Sequence, residues 1–157
     1  MARVTLPALC ALLGPLVLAV PRTLALPTYR RQAAQLMHYD QDTPLWALDR
    51  RVVPCTFCHV EVTGGPPWNV FGEEIRAAFT ADARAGRHRP FPQVLQDLLA
   101  SGADADRDGY ADVLEVFART LPGDPSSRPG EPPEQVMAAF EHAGGMRLYQ
   151  AKRPEQQ

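Results

Sequence analysis

The stretch Cys55-Thr56-Phe57-Cys58-His59 constrains this chain more than any other. Two thiols separated by two residues, with an imidazole directly after the second, have the spacing at which a polypeptide is sewn to one edge of a porphyrin. The sulfurs reach two vinyl groups as thioethers, and the adjacent histidine turns under the ring to offer the iron a nitrogen. A chain of this composition produces such a run by chance roughly once in a thousand. The third cysteine, Cys10, lies in an apolar leader, so a processed chain keeps no thiol for a structural disulfide. A domain of roughly 130 residues buries only a modest core. A covalently held cofactor and a bound ion are the expected supplements.

The leader sets the compartment. Arg3 is followed by an apolar run from Val4 to Val20, and Thr23-Leu24-Ala25 has the small-residue spacing that suits cleavage after Ala25. A membrane anchor is the alternative, but the run is short for one, contains Pro7 and Pro15, and precedes a good cleavage site. Residues 1–25 are therefore expected to be a signal peptide, and the mature protein to be periplasmic or otherwise exported, without stable membrane insertion. A net charge of −2 gives no electrostatic case for nucleic acid.

Sixteen prolines cut the rest into short pieces. A helix is expected around Arg30 to Tyr39, then a turn at Asp42-Thr43-Pro44 and the segment Leu45-Trp46-Ala47-Leu48. Gly64-Gly65-Pro66-Pro67 breaks any helix after the cysteines. Asn69 is placed to cap a helix over Val70 to Ala85, with Phe71, Ile75, Ala78 and Phe79 on one face. Pro90-Phe91-Pro92 opens another, striped by Val94, Leu95, Leu98 and Leu99 and closed by Gly102. Further helices are expected over Val113 to Thr120 and Glu134 to Ala143, the second capped by Gly144-Gly145. The Pro-rich stretch from Ser126 to Pro133 reads as a linker, and the tail after Tyr149 as frayed. With no convincing strand, the expected class is all-α and loop-rich: a haem c domain over 26–125, then the linker and last helix over 126–157.

Residues 104–115 form a second site. Asp104, Asp106 and Asp108 alternate, Gly109 stands at the sixth position, Tyr110 offers its carbonyl at the seventh, Asp112 sits at the ninth, and Glu115 closes the loop at the twelfth. This is the oxygen pattern of a calcium loop of the EF-hand type. Without an ion, five carboxylates so close repel one another, and Arg107 offsets one charge. The alternative is a solvated acidic turn. There is one such loop, and Ala111 at its eighth position is small for pairing with a partner loop. Extracellular sites bind calcium at about 0.1 to 1 mM, so a structural clip tying the Leu98/Leu99 helix to the Val113/Phe117 helix is expected rather than a switch.

The residues from Cys55 to Phe71, with the step Asn69-Val70-Phe71-Gly72, resemble small exported bacterial monohaem c-type cytochromes, in which the cysteine motif is followed by a glycine-rich turn and an Asn-x-Phe-Gly entry into a helix. The loop at 104–115, with Leu121-Pro122-Gly123-Asp124-Pro125 after it, resembles the single calcium loops of dockerins and thrombospondin repeats. The resemblance implies one covalent haem c and one Ca²⁺. It departs from the best-known small cytochromes c in the residues that precede the cysteine motif and in lacking their methionine loop.

A low-spin carrier needs a second axial ligand, and the candidates are Met37, His38, His88, Met137, His142 and Met146. Met137 reads as core on the helix of Val136 and Phe140, His88 as a surface residue in a basic turn, and His142 as an ordinary residue near a helix end. Met146, after Gly144-Gly145, is the first choice; an open or water-bound iron is the alternative. Trp68, Phe57 and Phe71 are expected to wall the haem. The expected function is single-electron transfer with redox partner proteins, membrane-bound ones included, and not enzymatic bond chemistry unless the iron keeps an open position. Two other readings compete: a calcium-dependent structural or adhesion module whose cysteine motif binds zinc (with His88 as fourth ligand) or is incidental, and a thiol–disulfide oxidoreductase, which normally needs a βαβ context.

Overall fold

A computed structural model describes residues 27–39 and 52–151. The expected leader, the 42–48 segment and the end of the tail lie outside the described residues. Among the described residues the chain is all-α. The helices are α1 (Pro27–Leu36), α2 (Val70–Arg84), α3 (Phe91–Ala100), α4 (Asp112–Ala118) and α5 (Pro133–Ala143). Short 3-10 turns cover Cys55–Phe57 and Gly145–Tyr149. A lone antiparallel bridge joins His59 to Trp68. No helix among the described residues is long and apolar enough to cross a membrane.

Local chemistry explains most of the helix ends. α1 stops because His38 adopts a left-handed conformation at φ 57°, and the Tyr39 N–H then bonds back to the Ala34 carbonyl at 2.9 Å, a Schellman-type closure. α2 starts where the Asn69 Oδ1 accepts the Gly72 N–H at 2.8 Å. Pro92 suits the first turn of α3, where its missing N–H costs nothing. α4 is shorter than the pattern Val113 to Thr120 predicts, because Arg119 takes φ 67° and ends it. A non-glycine residue in that region needs compensation. The Arg119 Nη1 donates to the Met37 carbonyl, and its guanidinium lies 5.2 Å from the centre of the Tyr39 ring.

One apolar cluster runs through the molecule and includes Met37, Phe57, Phe71, Leu95, Leu99, Val116, Phe140 and Tyr149. The residues after 125 belong to it. Phe140 meets Phe117 edge-on at 5.5 Å, His38 Nε2 lies 2.9 Å from the Leu148 carbonyl, and the Ala151 N–H donates to Gln96 at 2.7 Å. Met137, expected in the core, is 42% exposed. Val136 and Phe140, four apart, take the buried face of α5, and the next residue along turns roughly 100° away from it.

Asp82 on α2 is buried and holds two cations, Arg89 Nε at 2.7 Å and Arg87 Nη2 at 2.8 Å. The hydrogen bond from Arg89, helped by Arg87, keeps its carboxyl below the usual range. A depressed acid contributes stability above its unfolded value, and the contribution is lost as pH falls through the folded one. Asp82→Asn is therefore expected to lower the melting temperature at neutral pH. The gap to the native chain narrows in thermal scans as the pH is taken down through and below the ordinary aspartate range.

Candidate haem and calcium sites

The cysteine motif is folded into a tight turn before any cofactor is considered. The Cys58 and His59 N–H groups both donate to the Cys55 carbonyl, at 3.1 and 2.9 Å. From the N-terminal side, Arg30 of α1 fixes the approach: its Nε donates to the Val53 carbonyl at 2.6 Å. From the other side Asn69 clamps it. Its Nδ2 donates to the Thr56 carbonyl at 2.8 Å, and its backbone N–H to the Cys58 carbonyl at 3.1 Å. Gly72 explains the last residue of the Asn-x-Phe-Gly step. Any Cβ there would collide with the Cys58 carbonyl oxygen and crowd Trp68. Asn69 thus caps α2 and holds the motif at once. Asn69→Ala is expected to cost about 1–2 kcal/mol, the upper part of the capping range, read as a shift in denaturant midpoint at constant slope.

Cys55, Cys58, His59 and Trp68 line one cavity of about 390 Å³, whose remaining wall includes Tyr29 and Phe79. That volume falls within the usual range for cofactor pockets. His59 is 5% exposed. Its Nδ1 lies 2.7 Å from the Gly65 carbonyl and so carries the proton, and its Nε2 has no partner among the described residues. A metal-binding imidazole is commonly oriented this way, one nitrogen held by a carbonyl and the other offered. The Trp68 ring packs on it at 4.1 Å. Both cysteines are free thiols. Burial, with Cys55 adding to it, pushes the Cys58 thiol up to about 12. A thiol raised in this way is a weaker nucleophile, which gives no support to Cys58 as an attacking thiolate in disulfide exchange.

The other expected haem-pocket residues fall elsewhere. Phe57 and Phe71 meet edge-on at 5.4 Å in the core behind the motif. Met146 sits in the Gly145–Tyr149 turn, half-buried against the core, and does not line the cavity. His88 lines a separate cavity with Asp82, Arg87 and Arg89. Among the described residues, Asp104, Asp106 and Asp108 are the one set of three His, Cys, Asp or Glu ligands whose atoms approach within 4.8 Å of one another. Cys55, Cys58 and His59 do not converge as a tetrahedral zinc site demands.

The acidic loop is preorganised by its own backbone. The Asp104 carboxylate accepts the Asp108 N–H at 3.2 Å and the Gly109 N–H at 3.0 Å; Asp108 Oδ1 accepts Tyr110 N–H at 3.0 Å. Gly109 supplies φ 101° for the bend. The Ala105 N–H donates to Asp112 Oδ1 at 2.9 Å, and the Asp112 N–H to the Ala103 carbonyl at 2.7 Å, so the loop closes onto the start of α4. The Tyr110 hydroxyl donates to the Glu131 carbonyl at 2.9 Å, outside the loop. Six buried side-chain oxygens among the described residues lack a hydrogen bond, and five belong here: Asp106 Oδ2, Asp108 Oδ2, Asp112 Oδ2 and both oxygens of Glu115. Such atoms are normally satisfied. Arg128 Nε approaches Asp108 Oδ2 at 3.3 Å, an ion pair that the sequence pattern does not disclose.

Glu115 is fully buried. Burial first, then the charges of Asp106, Asp108 and Asp112, push its carboxyl up to about 9. Burial pushes Asp112 up to about 7 against the stabilising Ala105 N–H. Five carboxylates with one cation beside them among the described residues, Arg128 on Asp108, and with buried oxygens unsatisfied, suit a hard divalent ion with oxygen ligands. Asp104, Asp106 and Asp108 converge closely enough to hold a metal ion, and their oxygens are of the kind calcium takes.

The segment after α4 packs against the residues that hold the cysteine motif. A Cβ on Gly123, in the turn after α4, would lie 2.7 Å from the Asn69 carboxamide. The Tyr39 hydroxyl donates to the Thr120 carbonyl at 2.7 Å, and its ring meets Phe57 of the cysteine motif edge-on at 5.7 Å. No family model, curated protein or solved structure matches the chain.

Proposed function

We propose that the chain is an exported c-type haem protein that carries single electrons and is braced by one calcium ion. The observation that carries the reading is the shared cavity: Cys55, Cys58 and His59 all line it, and the Gly65 carbonyl fixes His59 so that Nε2 is the nitrogen on offer. Cys55 and Cys58 would hold the porphyrin as thioethers, and His59 would be the proximal ligand. When bound, the haem supplies a one-electron couple; the polypeptide makes or breaks no substrate bond. Trp68 packs on the imidazole, Gly65 sets its proton, and the surrounding wall is mostly apolar, with Arg30, Arg76 and Thr80 among its lining residues. Each of these bears on the potential through ligand basicity and burial. Electrons would come from one extracytoplasmic redox protein and go to another.

Calcium would be held by Asp104, Asp106, Asp108, the Tyr110 carbonyl, Asp112 and Glu115. Its role would be to tie α3 to α4 and to neutralise carboxylates that otherwise destabilise the fold. Protein matured in a host with cytochrome-maturation machinery is expected to be red, with a Soret band that survives acid–acetone extraction. A colourless chain that still responds to calcium would instead select the calcium-dependent structural module.

A further inference from the structure

We propose that Arg128 is a built-in competitor of calcium. It stands on a ligand oxygen of the acidic loop, lowers the affinity of the loop for the ion, and gives up that oxygen when the ion binds. The proposal rests on the calcium reading and adds to it the residue that sets the concentration at which the loop fills.

Asp108 is the fifth residue of the loop, and its side chain has no exposed surface. Its Oδ1 accepts the Tyr110 N–H at 3.0 Å, whereas Oδ2 accepts no hydrogen bond and has the Arg128 Nε 3.3 Å away. The place of Arg128 does not depend on that pairing, because the same Nε donates to the Pro125 carbonyl at 2.9 Å. The turn before it is pinned in its own right. Asp124 Oδ1 accepts the Ser126 N–H at 3.0 Å and the Ser126 hydroxyl at 2.6 Å, and the Ser127 hydroxyl accepts the Leu121 N–H at 3.0 Å. Beyond Arg128, the Tyr110 hydroxyl holds the Glu131 carbonyl. A stretch that reads as a linker in the sequence is thus fastened to the loop and carries a cation to it.

An ion that takes oxygen ligands competes with the guanidinium for the Asp108 carboxylate. The affinity of such loops follows the number of ligand charges, and Arg128 offsets one of the five. Its side chain is 56% exposed, so the pair adds little to folding; its effect falls on the ion. A unit charge beside a doubly charged ion, in surroundings nearly as polarisable as water, changes binding by about tenfold. Arg107 is the natural comparison. It belongs to the same twelve residues, is exposed, and pairs with no carboxylate among the described residues.

Calorimetric calcium titrations of the full mature chain, started calcium-free, test the proposal. Arg128→Gln is expected to bind calcium about tenfold more tightly than the native chain, and Arg128→Ala, which also loses the Pro125 contact, to do the same. Arg128→Lys keeps the charge and should stay within about threefold of native, as should Arg107→Gln. In about 1 M salt, where the screening length falls to about 3 Å, the advantage of Arg128→Gln should shrink severalfold. Binding by Arg128→Gln and Arg128→Ala that is no tighter than native would overturn the proposal and leave the calcium reading intact. So would equal tightening by Arg107→Gln, or an advantage that salt does not reduce. Absence of calcium binding in the native chain and every variant would remove both.

Discussion

Chelating calcium is expected to lower the melting temperature by on the order of 10 °C, from saturating calcium to excess chelator. At about a hundredfold excess over the dissociation constant, a ligand that binds only the folded state adds about 2.7 kcal/mol. For a domain of this size that is several degrees per kcal/mol. The sign follows from the loop: the buried Glu115, with both oxygens unsatisfied, gains its partner only when the ion arrives. Glu115→Gln separates the two contributions. It removes one ligand charge and also the repulsion from Asp106, Asp108 and Asp112. The variant should lose most of the calcium-dependent gain, yet melt no lower than the native chain when both are calcium-free. Differential scanning calorimetry with and without chelator reads both effects. A native melting temperature unmoved by chelator would refute the calcium clip.

Gly72→Ala should be comparably damaging, though alanine normally favours a helix over glycine. The methyl group would fall on the backbone carbonyl of Cys58, and no side-chain rotation relieves a clash with backbone. Overpacking typically costs about 1–3 kcal/mol, and a backbone collision sits at the upper end. The start of α2 and the cysteine turn would have to separate, breaking the Asn69 clamp on Thr56 and Cys58. The expected result is a melting temperature lower by about 10 °C and a smaller haem-bearing fraction after maturation, measured as the Soret to protein absorbance ratio. Ala77→Gly, on an exposed position of the same helix, should cost about 1 kcal/mol and leave haem content alone. Equal effects from the two would mean that helix propensity, not the approach to Cys58, governs this region.

The contrast between these positions indicates what was legible in the sequence. The helices after Gly65 follow from period and punctuation: Asn69, Pro92 and Gly144 act on residues within a turn of themselves, so their effect is local and readable. The acidic loop is equally local, since Asp104, Asp106 and Asp108 converge within five consecutive residues. The early end of α4 was not readable, because Arg119 is held in its left-handed conformation by Met37 and Tyr39 from the other end of the chain. Nor was the second job of Asn69, whose partner Thr56 lies thirteen residues away. The aromatic wall of the cavity draws Tyr29, Phe79 and Phe91 from three helices, and periodicity assigned Phe79 to a buried face without saying what shares it. Met146 was an attractive reach from a glycine turn, but the turn winds into a 3-10 segment that packs on the core instead.

The central claim is that the motif at 55–59 carries a porphyrin. Its most direct test is intact and peptide mass spectrometry of protein matured in a maturation-competent host. The account predicts the mass of one haem added to the chain, located on the peptide containing Cys55 and Cys58 and lost in the double variant Cys55→Ala/Cys58→Ala. A bare polypeptide mass, with both cysteines still alkylatable as free thiols, would contradict it.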